Sequence, residues 1–227
     1  MSFLKKVELH VHTQQSYDCG LSYQKIIDVC QKRGIDALLI ADHNEISGAQ
    51  YLAKKAPFRV IVGEEILTKE GEIIGLFLKK HIPSGLTILE TIKLIKGQGG
   101  LTYLPHPFDL VTRKTAVEQG LVLSIIKKVD IVEVYNGRTI LPWDNRRALK
   151  IARGLGKTLA VGSDAHTSIE IGRNYLLMPD FRSPGEFVAS LKQSKMVTAP
   201  VNPLCFFVTK WVRFRKGKQN DYWKDTV

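Results

Sequence analysis

Val7-Glu8-Leu9-His10-Val11-His12 is the stretch whose reading decides the fold. Its alternating apolar residues mark a β-strand, and on a strand residues two apart point to the same face. The alternation therefore predicts His10 and His12 side by side at a strand end, with Asp18 six residues beyond the second. Two imidazoles on one strand face are either solvated surface or half of a metal site. The other strands decide which.

Working outward, strands are expected over 7–12, 36–41, 60–65, 73–78, 101–104, 131–135, 158–161 and 175–178. Helical spacing occupies the intervals: 23–32, stopped at Gly34, then 47–55, 87–96, 115–127, 144–153 and 183–193. Apolar strands alternating with helices predict a parallel, mostly buried sheet, and the number of units suits an α/β barrel. No Pro, Gly or Ser-rich linker divides the chain and no repeat is visible. One domain over 1–200 is expected, with a basic helix and tail over 201–227 that is not independent of it.

The acids and imidazoles gather where these strands end. Asp42 and His43 follow the second strand, Glu64 and Glu65 end the third, His106 follows the fifth, Glu133 lies in the sixth, and Asp164 and His166 follow the seventh. In a barrel of parallel strands the C-terminal ends form one rim, where barrel active sites are built. Asp164-Ala165-His166 repeats the spacing of His10-Val11-His12. A single such histidine is ordinarily structural, but five strand-end clusters point to metal. Imidazole and carboxylate without thiolate suit Zn, Mn or Fe.

The composition narrows the function. With 33 Lys and Arg against 22 Asp and Glu, the chain carries a formal net charge of +11. That favours an anionic partner: a nucleotide, nucleic acid or other phosphate ester. Charge concentrates in the segment 210–218, read as a solvated basic stretch. Val208, Trp211, Val212 and Phe214 would dock this helix on the barrel while Lys210, Arg213, Arg215, Lys216 and Lys218 face solvent. Cys19, Cys30 and Cys205 are scattered and form no CxxC pair. With no apolar run long enough to span a bilayer and no signal peptide visible, a cytoplasmic location without stable membrane insertion is expected. No obligate protein partner is implied. There is no G-x-S-x-G elbow and no P-loop, so neither a serine nucleophile nor P-loop chemistry is indicated.

The segments HVH, ADHNEISG, GEEI, PHPFD, VEVYNGR and GSDAH, in this order over about residues 7–200, resemble the PHP (polymerase and histidinol phosphatase) family, in particular its TrpH-like branch of metal-dependent phosphoesterases. The resemblance implies a distorted (β/α)7 barrel with two or three divalent ions (Mn, Fe or Zn). It implies that His10, His12, Glu65 and Asp164 hold the first metal, that Glu65 bridges to a second bound by His106, and that Asp18, His43 and His166 hold a third. Where family members often carry a second-metal histidine, this chain has Glu72, an oxygen ligand competent for the same metals. His81 is the rival for that place; alternatively the site is dinuclear with Glu72 exposed.

Such a cluster activates a water and neutralises charge on phosphate oxygens, so no nucleophilic side chain is needed. His43 and His166 are candidate general acids. Arg113 and Arg138 are candidate phosphate ligands, and Asn136 either orients a substrate hydroxyl or caps a turn. The expected substrate is a phosphorylated small molecule or short nucleic acid, as in 3′,5′-bisphosphonucleoside phosphatases and 5′→3′ exonucleases. The alternatives are a histidinol-phosphate phosphatase or a non-catalytic regulatory module on the same fold.

Overall fold

The computed structural model describes residues 4–109 and 115–217. Arg113, Lys218 and the rest of the tail lie outside the described residues. The elements run β1 (Lys5–Val11), α1 (Tyr23–Arg33), β2 (Ala37–His43), α2 (Ser47–Lys55), β3 (Arg59–Thr68), β4 (Gly71–Leu76), α3 (Ile88–Gly97), β5 (Leu101–Leu104), α4 (Gln119–Lys128), β6 (Ile131–Asn136), α5 (Pro142–Gly154), β7 (Thr158–Ala165), β8 (Tyr175–Met178), α6 (Pro184–Leu191), β9 (Lys195–Val197) and α7 (Leu204–Gly217). Local signals set several helix ends. Ser22 caps α1, which stops at the left-handed Gly34, and Thr87 with Glu90 forms a capping box on α3.

The strand order β2-β3-β4-β5-β6-β7-β1 closes through a β1–β2 pairing, giving a seven-stranded barrel, with β8 and β9 extending the sheet from β1. This is the distorted (β/α)7 barrel. It departs from the expected all-parallel sheet at β4, which runs antiparallel to both β3 and β5. The short turn before Gly71 makes a hairpin, and a hairpin reverses direction. The reversal brings the start of β4, with Glu72, to the rim where the neighbouring strands end.

Inside the barrel pack Leu9, Leu39, Ile61, Ile74, Tyr103 and Ala160, and Phe181 and Phe187 join this cluster. Outside it, Leu38 and Ile40 pack with Ile26, Cys30 and Leu52 of α1 and α2, while α3, α4 and α5 cover β4 to β6. Among the described residues, no helix is long and apolar enough to cross a membrane.

Against expectation, the C-terminal helix turns most of its apolar residues away from the barrel; of the four expected to dock, Val212 is the one that does. Leu204, Phe207, Trp211 and Phe214 on α7 are more than half exposed, and Val208 is 44% exposed. The face towards the barrel carries Cys205 and Thr209, with Val212 close to Gly20. It also carries Arg213, which donates to Asp18, and Lys216, which donates to the carbonyls of Gln14, Ser16 and Cys19. The rim beneath α7 offers carbonyls and a carboxylate, and such groups take cations rather than aromatic rings. Lys210 and Arg215 do face solvent, as expected.

Candidate metal centre

Plain strand alternation aims one group of side chains inward. On β2, Leu39 and Ala41 face the barrel interior and His43 follows in phase. On β3, Ile61 leads in steps of two to Glu65. Glu64 points away, accepting from the backbone N–H of Ile82 and lying 2.8 Å from His81. Glu72 is two residues from Ile74, and Glu133 two from Ile131.

A second group is aimed by strained backbone. Leu9 already faces inward, so strict alternation would turn His10 outward. Instead His10 adopts φ 62°, β1 shifts register between Glu8 and Val11 against β2 and between Leu9 and Val11 against β7, and His10 and His12 both enter the barrel mouth. Asp164 (φ 54°) and His106 (φ 26°) are also left-handed. Non-glycine residues there cost about 1–3 kcal/mol each and cluster at functional sites.

The result is one continuous cluster at the rim. His12, His43 and His166; His10, Glu65 and His106; His10, His12 and Asp164; and His43, Glu65 and Glu72 each bring ligand atoms within 4.8 Å of one another. Glu65 is central: Oε2 lies 3.3 Å from His10 Nε2, 3.5 Å from His12 Nε2 and 3.2 Å from His43 Nδ1, while Oε1 lies 3.1 Å from His106 Nε2. Asp164 Oδ1 stands 3.4 Å from both His12 Nε2 and His166 Nδ1. Asp18 Oδ1 stands 3.1 Å from His166 Nε2 and 3.6 Å from His43 Nε2. Glu72 is buried, 3.7 Å from both His43 and His106, so it faces the cluster rather than solvent. His81 is half-exposed and turned to Glu64.

Around this cluster lies a layer to which the sequence reading gave no role beyond the turn cap considered for Asn136, whose Oδ1 does accept from the Arg138 backbone N–H at 2.8 Å. Glu133 Oε1 accepts from Tyr103 Oη (2.6 Å) and meets His10 Nδ1 (3.1 Å), while Oε2 accepts from the His106 backbone N–H and from Asn136 Nδ2. Asn136 also donates to Asp164, so it positions two carboxylates. Asp42 accepts from Thr13 and from Ser16 Oγ, and Ser16 Oγ meets His12 Nδ1 at 3.0 Å. Glu133 was visible as a carboxylate in phase with the inward apolar positions of its strand. Ser16 lies in a loop without periodicity. Arg138 is buried: Nε is 3.2 Å from Glu170 and Nη2 donates to Thr209 Oγ1, which ties the loop after β6 to α7.

The charges are mutually supporting. Burial disfavours charge on His10, but Glu65 and Glu133 outweigh it and hold its pKa up at about 9. Burial likewise opposes charge on His43, yet Asp18 and Glu65 raise it to about 9. Burial lowers His166 to about 4 despite Asp18. Burial also works against the Glu65 and Glu133 carboxylates, but His10 and its neighbours hold Glu65 well below its ordinary range and Glu133 down at about 2.

The donor set fits divalent metal. It is imidazole and carboxylate, and His10 Nε2, His12 Nε2, His166 Nε2, Asp18 Oδ1 and Glu65 Oε2 are buried yet form no hydrogen bond among the described residues. Buried polar atoms left this way are costly unless something else satisfies them.

Residues 142–196 match the family model described as PHP-associated. The uncharacterized protein MJ0417 of Methanocaldococcus jannaschii is 37% identical over 197 residues, covering 82% of this chain and 79% of that one. Among solved structures, a two-domain Bacteroides vulgatus protein containing a predicted PHP-like metal-dependent phosphoesterase superposes with TM-score 0.68 at 19% identity. That match covers 87% of this chain and 65% of the Bacteroides protein, so this chain spans under two thirds of its length. Endonuclease Q, bound to a duplex with an abasic lesion, superposes with TM-score 0.60 at 12% identity over 85% of this chain and 58% of the other. With a PHP-associated segment within a barrel that matches a PHP-like fold over most of its length, this chain belongs to the PHP family.

Proposed function

We propose that the chain is a metal-dependent phosphoesterase acting on nucleotides or short oligonucleotides. The observation that carries this is the Glu65 carboxylate set among four imidazoles, with buried ligand atoms left without hydrogen bonds. His10, His12, Glu65 and Asp164 would hold one ion, with Glu65 shared by a second on His106 and Glu72. Asp18, His43 and His166 would hold a third. Bound there, the ions supply Lewis-acid chemistry: they activate water and neutralise phosphate oxygens. Where the third ion is not bound, His43 keeps its proton; it is the more exposed of the two candidate donors, 7% against 1% for His166, and stands against Tyr17, so in that state it is the better placed to serve a leaving group. A nucleic-acid substrate is supported by the +11 charge and by the likeness to an endonuclease seen with DNA.

The test is reconstitution of chelator-stripped protein with Mn, Fe or Zn, followed by a screen of 3′,5′-bisphosphonucleosides, short RNA and histidinol phosphate. Manganese-dependent turnover is expected, with nucleotides preferred. Best turnover of histidinol phosphate would defeat the nucleotide reading, and metal below one per chain would defeat the metal centre.

Metal uptake should also release protons. With pKa values of about 9, His10 and His43 carry protons at neutral pH, and an imidazole must lose its proton to ligate. Affinity is therefore expected to rise with pH up to about 9 and to fall on acidification. Calorimetry in buffers of different ionisation enthalpy should count about two protons per chain loaded. No proton release at pH 7.5 would mean that these two imidazoles are not ligands.

A further inference from the structure

We propose that Arg213, supplied by α7 rather than by the barrel, binds a substrate phosphate next to the one that is cleaved. This rests on the phosphoesterase reading and narrows it to esters carrying a second phosphate or a following phosphodiester.

Asp18 links α7 to the cluster. Its Oδ1 faces His43 and His166, while its Oδ2 accepts from Arg213 Nη2 at 3.1 Å. The same Nη2 donates to Tyr17 Oη at 3.2 Å, and the guanidinium lies 5.0 Å from the centre of the Tyr17 ring. Tyr17 in turn stands 5.1 Å from the His43 ring, tilted to it by 38°, so arginine, tyrosine and histidine stand in a row at the mouth. Both hydrogen bonds leave from Nη2, and the side chain is 56% exposed against 5% for Asp18. Among the described residues Nε and Nη1 make no hydrogen bond, and a guanidinium presenting two donor nitrogens matches the oxygens of a phosphate in bidentate fashion.

The helix is held firmly enough for this task. Lys216, one turn further on, donates to three carbonyls of the loop that carries Asp18, at 2.6–2.9 Å. Thr209, one turn earlier, accepts from the buried Arg138. Arg138 is itself spent on protein groups. Arg213 keeps its charge at the boundary between the cluster and solvent, where a phosphate beyond the metal ions would sit. A bland alternative is that Arg213 only neutralises Asp18. Asp18 already faces two imidazoles, and a half-exposed ion pair contributes little.

The experiment compares wild type, Arg213→Met and Arg213→Lys, each loaded with Mn. KM and kcat are measured for adenosine 3′,5′-bisphosphate and for p-nitrophenyl phosphate, with metal content recorded alongside. Arg213→Met should raise KM for the bisphosphate by about tenfold more than for the monophosphate, the effect of losing a charged hydrogen bond. Arg213→Lys, which keeps a cation beside Asp18, should recover part of that loss. Equal KM rises for both esters would overturn the proposal. So would loss of metal and of kcat with the KM ratio unchanged, which would make Arg213 a positioning residue for Asp18. If the wild type hydrolyses neither ester, the phosphoesterase reading fails by itself, and calorimetric titration with adenosine 3′,5′-bisphosphate decides the subsite. About tenfold weaker binding to Arg213→Met would uphold it, and equal binding would end it.

Discussion

Replacing Glu65 by Gln is expected to strip the centre of bound metal and to lower turnover by about 10³-fold, roughly 4 kcal/mol of barrier. Gln is nearly isosteric, so packing is spared; the loss is of charge and of lone pairs. Glu65 is the one carboxylate within 3.5 Å of His10, His12, His43 and His106 among the described residues. An amide there would turn two donor hydrogens towards imidazole nitrogens that need an acceptor or a metal. The adjacent Glu64→Gln is the control. Glu64 is equally buried, but it faces the other side of β3, towards Ile82 and His81. Its replacement should leave metal content at the wild-type value. Elemental analysis and Mn-dependent hydrolysis of a small ester would separate the two. Equal losses would mean that the β3 face has been misassigned, and full metal in Glu65→Gln would remove this carboxylate from the centre.

The resemblance singled out Glu65, and period-two alternation agrees that it faces inward, because β3 is regular through that point and Ile61 fixes its phase. It was not enough for His10. The HxH spacing suggested a shared face, and the two imidazoles do meet, with ring centroids 5.2 Å apart. The cause is a bulge, not alternation, since Leu9 and His10 both turn inward. A histidine, unlike glycine, carries no local signal that its φ is positive. Glu72 was legible as a ligand type but not as a position: only the reversal of β4 brings the beginning of that strand to the rim where the others end. The clearest failure is α7. Its apolar spacing predicted a docking face, and the spacing is real, but the surface that receives the helix is polar. What packs against a helix depends on the partner surface, and that surface is assembled from a loop about two hundred residues earlier.

Gly162→Ala should be the most damaging small substitution near the centre. Gly162 on β7 pairs in register with Leu9 of β1 and Asn136 of β6. A Cβ built there would collide with Glu133 Oε1 and fall 2.7 Å from its Cδ. These atoms are neither backbone nor a free chain end, because Glu133 is held by Tyr103, His10, the His106 backbone and Asn136. To admit one methyl group the carboxylate must leave those partners. The carboxylate would then be buried with fewer hydrogen bonds, and the imidazoles of His10 and His106 would lose what orients them. Overpacking of this kind costs about 1–3 kcal/mol, which for a chain of this size is a fall in Tm of roughly 2–12 °C. Removing the partner of a metal-binding histidine lowers metal affinity by about 10- to 100-fold. Glu133→Gln separates the two effects, since it keeps the shape and removes the charge: affinity should fall while Tm changes less than in Gly162→Ala. The expected order of Tm is therefore wild type, Glu133→Gln, Gly162→Ala, with both variants binding Mn more weakly than wild type. If Gly162→Ala melts and binds Mn as the wild type does, β7 yields around the new methyl group and Glu133 is not what aims His10.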